Sequence, residues 1–310
     1  MNNQTESTQP NKLYRSAVID LQSIRTRYDQ FGHDADPAVL LVHGLGAQRI
    51  AWHDDFCASL SDQGYRVIRF DNRDIGQASR FDALGPPNLL WILLASKIGL
   101  PCRAPYTLRD MARDCIDLLD TLGIDRCFLM GASMGGMIAQ HLADLAPERI
   151  FKLVCIMSSS GRKGLPGPEK AVRKLLLSAP TSPGKQARIT HDLAFWKLIA
   201  SKRYPPDPDE LRDFVVTSVE RDHPNLHGVE RQFCAILADG SRTEILAGLQ
   251  LPCLVIHGDE DRLIPPACGW DVANTIPNAR YLLVEGMGHD LPSALHQNLV
   301  AHIHAFFEQE

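Results

Sequence analysis

Short apolar runs alternate with longer amphipathic segments along most of the chain. The runs are Ala38–Val42, 65–70 (broken by Arg66 and Arg69), 127–130, 151–157 (broken by Lys152), 251–257 and 281–284. Apolar stretches this short suit strands that are covered on both faces of a parallel sheet. Between them the apolar residues fall at helical spacing. Trp52, Phe56 and Leu60 share one face of a segment spanning 51–63, which Gly64 ends. Thr107 opens a second helix that carries Leu108, Met111, Cys115, Leu118, Leu119 and Leu122 on one face and stops at Gly123. A third runs over 134–146 and ends at Pro147. Ahead of all these, Ala17, Ile19, Leu21, Ile24, Thr26 and Tyr28 alternate as in a β-hairpin over 14–32. The pattern predicts an α/β fold with a mostly parallel central sheet flanked by helices.

That rhythm stops between about 161 and 248. Helical stretches at 171–177, 189–200, 210–218 and 229–237 are separated by proline-rich turns, and no strand-like run occurs. The expected organisation is a disordered tail (1–12), a core domain (13–160 and 249–310) and a helical cap (161–248). Phe195, Trp196, Phe214 and Phe233 are candidates for the roof of a pocket, and equally for the cap's own core. A strongly apolar stretch, NLLWILLASKIGL at 88–100, is bounded by Pro86, Pro87 and Pro101. It is too short to span a bilayer and predicts a helix over the pocket mouth. Trp91 and Trp196 are therefore the candidate substrate-binding residues.

Composition narrows the possible roles. An apolar share of 45 % and a charged share of 22 % are those of an ordinary globular protein. A net charge of −5 without a basic block argues against nucleic acid and against an anionic membrane surface. The eight cysteines never form C-x-x-C, so zinc and redox motifs are absent. Several sit in apolar runs, where a thiol acts as a small hydrophobe. With a polar N-terminus and no long apolar window, the expectation is a cytoplasmic protein without stable membrane insertion.

Candidate chemistry centres on Gly131-Ala132-Ser133-Met134-Gly135. Strand-like residues precede this Gly-x-Ser-x-Gly and an amphipathic segment follows, the context in which a serine hydroxyl is exposed on a sharp strand-to-helix turn. The same motif also occurs as a plain small-residue turn. The Met134 amide, at the start of the helix, would point toward the site. His43-Gly44-Leu45-Gly46 ends an earlier strand. The charges of Asp71, Arg73 and Asp74 read as turn-holding rather than catalytic. Leaving 151–157 the chain offers no carboxylate until Glu169. After 251–257 it offers Asp259 and Asp261, and Asp261 is preferred, one turn before Pro265. His289 lies in the glycine-bearing loop Glu285-Gly286-Met287-Gly288-His289-Asp290. Of the twelve histidines it stands apart by that loop and by the order serine, acid, histidine. His302 and His304 are two apart on a terminal helix and cannot share a metal.

The segments VHGLGAQ (42–48), DNRDIGQAS (71–79), APYTLRDMA (104–112), GASMGGMIAQ (131–140), HGDEDRLIPP (257–266) and GMGHDLP (286–292) make the chain resemble the capped α/β-hydrolase superfamily. It is most similar to aclacinomycin methylesterase-like serine esterases. The resemblance implies an α/β-hydrolase fold with an inserted helical cap. It also implies Ser133 as nucleophile, His289 as base, Asp261 as acid, and the Leu45 and Met134 amides as oxyanion hole. An aspartate would replace Ser133 in a haloalkane dehalogenase. The implied reaction is hydrolysis of small to medium apolar esters, methyl esters among them, through an acyl-enzyme and without cofactor or metal. Related sequences include perhydrolase or haloperoxidase-like enzymes and proline-iminopeptidase-like peptidases. The latter would use cap carboxylates such as Asp207, Asp209, Glu210 or Glu220. A non-catalytic ligand-binding homologue is the reading from a different class. In every enzymatic version the sheet domain carries the chemistry, and the cap with 88–100 sets substrate choice.

Overall fold

The computed structural model of the protein describes residues 5–6, 14–98, 103–222 and 227–309. Among the described residues nine strands form one sheet: β1 (Thr5–Glu6), β2 (Tyr14–Asp20), β3 (Arg25–Phe31), β4 (Ala38–Val42), β5 (Arg66–Phe70), β6 (Cys127–Ala132), β7 (Ile150–Ile156), β8 (Cys253–Gly258) and β9 (Arg280–Val284). Their spatial order is β1-β2-β3-β5-β4-β6-β7-β8-β9. The β1–β2, β2–β3 and β3–β5 pairs are antiparallel, and every pair from β5 to β9 is parallel. Within the stretch expected as a tail, Thr5 and Glu6 pair with Ser16 and Arg15. The rest of 1–12 lies outside the described residues.

The helices are α1 (Asp54–Ser61), α2 (Leu89–Ile98), α3 (Leu108–Thr121), α4 (Met134–Leu145), α5 (Lys170–Leu176), α6 (Lys185–Ile199), α7 (Pro208–Arg221), α8 (Gly228–Asp239), α9 (Thr243–Gly248), α10 (Pro266–Thr275) and α11 (His296–Phe307). They cover both faces of the sheet. Leu40 and Val42 of β4 face one way, into a core with Leu108, Met111, Ile138 and Val272. Val39 and Leu41 face the other way, toward Phe56, Leu60, Leu299 and Ile303. This alternation on an all-apolar strand is why the sequence shows a run rather than a two-residue period. Helix α3 begins where expected, because Thr107 and Asp110 form a capping box. Helix α1 begins later than its apolar spacing suggests. Trp52 and His53 are extended, so Trp52 packs on Phe56 from outside the helix.

Two arginines interrupt the apolar character of β5, yet the strand is buried. Arg69 bonds Asp29 at 2.9 Å and Asp54 at 2.6 Å, and Arg66 donates to Gln30 at 3.0 Å. The turn after β5 is tied in the same way. Asp71 accepts from the Arg49 amide (2.7 Å), the Arg49 guanidinium (2.5 Å) and the Gln77 amide (3.0 Å). Arg73 pairs with Asp114 at 2.7 Å, and Asp74 with Arg231 of α8 at 2.8 Å.

Helices α5 to α9 lie between β7 and β8 in the chain. Helices α6 and α7 share a small core of Ile189, Leu211, Val215 and Val219, joined by Trp196 and Phe214. Arg231 fastens α8 to the sheet domain through Asp74 and Asp82, each at 2.8 Å. Because Arg231 and Asp74 are fully buried, Arg231→Met leaves a carboxylate without its cation. The expected cost is about 3–5 kcal/mol, read as a lower urea midpoint.

Candidate active site

The turn at Ser133 is built by close packing. Ser133 holds φ 57° and ψ −121°, a conformation costly for a residue with a side chain. A Cβ on Gly135 would lie 2.1 Å from the Val42 carbonyl oxygen, and one on Gly131 would lie 2.3 Å from that of Gly135. Only glycine lets α4 start this close to the ends of β4 and β6. The Ser133 amide donates to Ile156 O (2.9 Å), and Ser158 Oγ donates to Ser133 O (2.8 Å), so β7 holds the turn from the other side.

The loop after β4 passes directly beside the serine. A Cβ on Gly44 would lie 3.4 Å from Ser133 Oγ. Two amides of this loop are engaged: Gly46 N–H bonds Gln232 Oε1 (3.0 Å) and Ala47 N–H bonds Gly44 O (3.4 Å). Among the described residues the Leu45 amide has no partner. Met134 is the first residue of α4, so its amide has no carbonyl within the helix. His43 Nε2 accepts from the Asn72 amide (3.2 Å), and His43 Nδ1 lies 3.2 Å from Gly44 O. That arrangement calls for the proton on Nδ1. Burial, against the pull of Asp71, pushes the His43 pKa down and keeps the ring neutral.

The acid and histidine loops leave the carboxyl ends of β8 and β9. Asp261 Oδ2 is 2.7 Å from His289 Nδ1, and both residues are buried. Asp261 Oδ1 accepts from the amides of Leu263 (2.9 Å) and Ile264 (2.8 Å). His257 Nε2 lies 2.8 Å from Ile264 O and 3.3 Å from Asp261 Oδ2, so its N–H forks between them. Burial alone would raise the Asp261 pKa. The charge of His289 and the hydrogen bonds from both histidines outweigh it and hold the carboxyl well below its usual range. Asp259 is exposed, and its Oδ1 accepts from the Gly286 amide at 2.6 Å.

The two tryptophans lie on helices α2 and α6. Trp91 is 52 % exposed. It lines a surface cavity of about 290 Å³ with Leu84, Pro87, Ile92, Arg103 and Ala104, none of which belongs to the elbow or to the acid or histidine loops. Helix α2 packs on α8. Residues 99–102, which complete the apolar segment, lie outside the described residues. Trp196 meets Phe214 edge-on at 5.3 Å inside the cap. Sequence reasoning did not single out Gln232 or Ser201, and it named His43 only as part of the His-Gly loop; the contacts of all three reach the candidate loops. For His43 the adjacent His-Gly pair was a usable signal. Among the described residues no group of three or more His, Cys, Asp or Glu side chains is placed to hold a metal. No described helix is long and apolar enough to cross a membrane.

A strained serine at the carboxyl end of β6 and a buried acid–histidine pair on the loops after β8 and β9 lie at the same end of the parallel sheet. A family model for the alpha/beta hydrolase fold matches residues 37–292, and the chain belongs to that family. Rhodomycin D methylesterase DauP of Streptomyces sp. (strain C5) is 28 % identical over 295 residues, 88 % of this chain and 91 % of that one. The putative non-heme bromoperoxidase BpoC of Mycobacterium tuberculosis (strain ATCC 25618 / H37Rv) is 28 % identical over 272 residues, 86 % and 91 % of the two chains. Among solved structures, the meta-cleavage product hydrolase CumD of Pseudomonas fluorescens IP01 superposes with a TM-score of 0.72. It shares 20 % identity and covers 94 % of this chain and 96 % of its own.

Proposed function

We propose that the protein is a serine carboxylic-ester hydrolase acting on small to medium apolar esters, methyl esters included. The observation that supports it most is the 2.7 Å contact between Asp261 and His289 Nδ1, on loops at the same end of the sheet as the strained Ser133. In this reading the carboxylate fixes the tautomer that leaves His289 Nε2 free to take the Ser133 proton as the hydroxyl attacks. The Leu45 and Met134 amides receive the charge that develops on the carbonyl oxygen. His289 then returns its proton to the leaving alcohol, and water repeats the cycle on the acyl-enzyme. The likeness to a methylesterase supports the choice of ester. The test is a chain-length series of p-nitrophenyl esters with a bulky methyl ester beside it. Turnover is expected on both, and a folded protein inert toward every ester would refute the reading. BpoC's name motivates a second reading, in which peroxide replaces water at the acyl-enzyme. Peracid formation from acetate and peroxide tests it.

The pH dependence follows from Asp261. Its depressed pKa keeps it charged throughout the range in which histidines ordinarily protonate, near 6.5. The acid limb of kcat/KM should therefore carry one ionisation rather than two, with a slope of one. As a depressed carboxylate, Asp261 stabilises the fold above about pH 4, its unfolded value, and that contribution disappears as pH falls further through the folded value. A slope of two would mean that the carboxylate titrates along with the base.

A further inference from the structure

We propose that Ser201, in the segment that leaves the cap helix α6, is a positioning residue for His289. The inference rests on the serine-hydrolase reading above and deepens it. Helix α6 ends at Ile199 and the chain turns extended at Ala200, which carries Ser201 against the histidine loop. Three successive residues of that loop are then tied to it. The His289 amide donates to Ile199 O at 2.9 Å. The Gly288 amide donates to Ser201 Oγ at 2.7 Å. Ser201 Oγ in turn donates to Asp290 Oδ1 at 2.5 Å, and the Ser201 amide donates to the same oxygen at 3.1 Å. One hydroxyl thus accepts from the residue before His289 and donates to the residue after it. Ser201 is only 2 % exposed, so water does not compete for these bonds.

Neighbouring contacts extend the strap to the acid loop. Arg262 donates to Leu198 O at 3.1 Å and the Lys202 amide to Glu260 at 3.3 Å, while Arg203 donates to Glu285 of the histidine loop at 2.5 Å. The fit at Gly288 is tight: a Cβ there would lie 2.6 Å from Ile199 O and 2.7 Å from Ser201 N. The histidine loop needs such a brace because Gly286, at φ 76°, and Gly288 give its backbone wide freedom. A base displaced by about 1 Å can cost roughly 100-fold in rate. The cap therefore does more than form pocket walls. It holds the general base in register with the acid.

The experiment compares wild type, Ser201→Ala, Ser201→Thr and Ser133→Ala. For each, kcat and KM are measured on p-nitrophenyl acetate and butyrate, with the rate of inactivation by diethyl p-nitrophenyl phosphate. Ser201→Ala should lower kcat on both esters and the inactivation rate together, by roughly 10–100-fold, with KM nearly unchanged. Ser201→Thr, which keeps the hydroxyl, should recover most of the rate. A folded Ser201→Ala protein with a normal inactivation rate, or with a change in KM or ester preference alone, overturns the proposal. Should Ser201→Ala not fold, Asp290→Ala removes the same anchor from the loop side. It must slow inactivation, and a normal rate there overturns the proposal too. Near-normal activity in a folded Ser133→Ala protein would instead overturn the serine reading itself, so the two failures are distinguishable.

Discussion

Ser133→Ala is expected to remove ester hydrolysis, by on the order of 10⁴-fold or more in kcat, while the protein stays folded. The fold should survive because the turn is held by atoms that alanine retains. The Ser133 amide still bonds Ile156 O, its carbonyl still accepts from Ser158, and the glycines at 131 and 135 still allow the close approach. Alanine keeps the same positive φ and hence the same backbone cost. What disappears is the hydroxyl beside the loop at Gly44. Steady-state turnover of p-nitrophenyl acetate, with far-UV circular dichroism on the same sample, decides the matter. Near-normal turnover in a folded variant would sink the assignment.

The second large effect separates two neighbouring carboxylates. Asp261→Asn should lower kcat by about 10⁴-fold, because an amide at this position can present N–H to His289 Nδ1 and reverse the tautomer. Asp259→Asn should matter far less. Its oxygen only anchors the Gly286 amide at 2.6 Å, and asparagine can still accept that bond. Reversed ranking in two folded variants would transfer the acid to Asp259.

How much of this was legible depends on the kind of interaction. The buried strand β4 was visible because an all-apolar run has few other uses. Helix α3 was visible at its start because Thr107 caps it and at its end because Gly123 stops it. Gly131 and Gly135 carried the elbow, since their reason for being glycine is local. The start of α1 was less legible: Trp52 sits at helical spacing but packs from an extended segment. Buried arginines in β5 carry no pattern of their own, since their partners, Asp29 and Asp54 for Arg69 and Gln30 for Arg66, lie elsewhere in the chain. Ser201 was illegible for the same reason. Its partner Asp290 is 89 residues away, and a single hydroxyl leaves no periodicity. The roles assigned to Trp91 and Trp196 rested on size and apolarity, which suit a pocket wall and a cap core equally.

Gln232 has a consequence for how such an enzyme can change. Its side chain reaches from α8 to the Gly46 amide with one end and to the Arg73 carbonyl with the other, at 3.0 and 2.8 Å. The helices over the sheet are thus not an interchangeable module. A chimera that imported foreign helices there would leave the loop beside Ser133 without its clamp. Broadening the repertoire of this protein then calls for changes at individual side chains that leave the amide of Gln232 in place, a fixed rivet between α8 and the turns after β4 and β5.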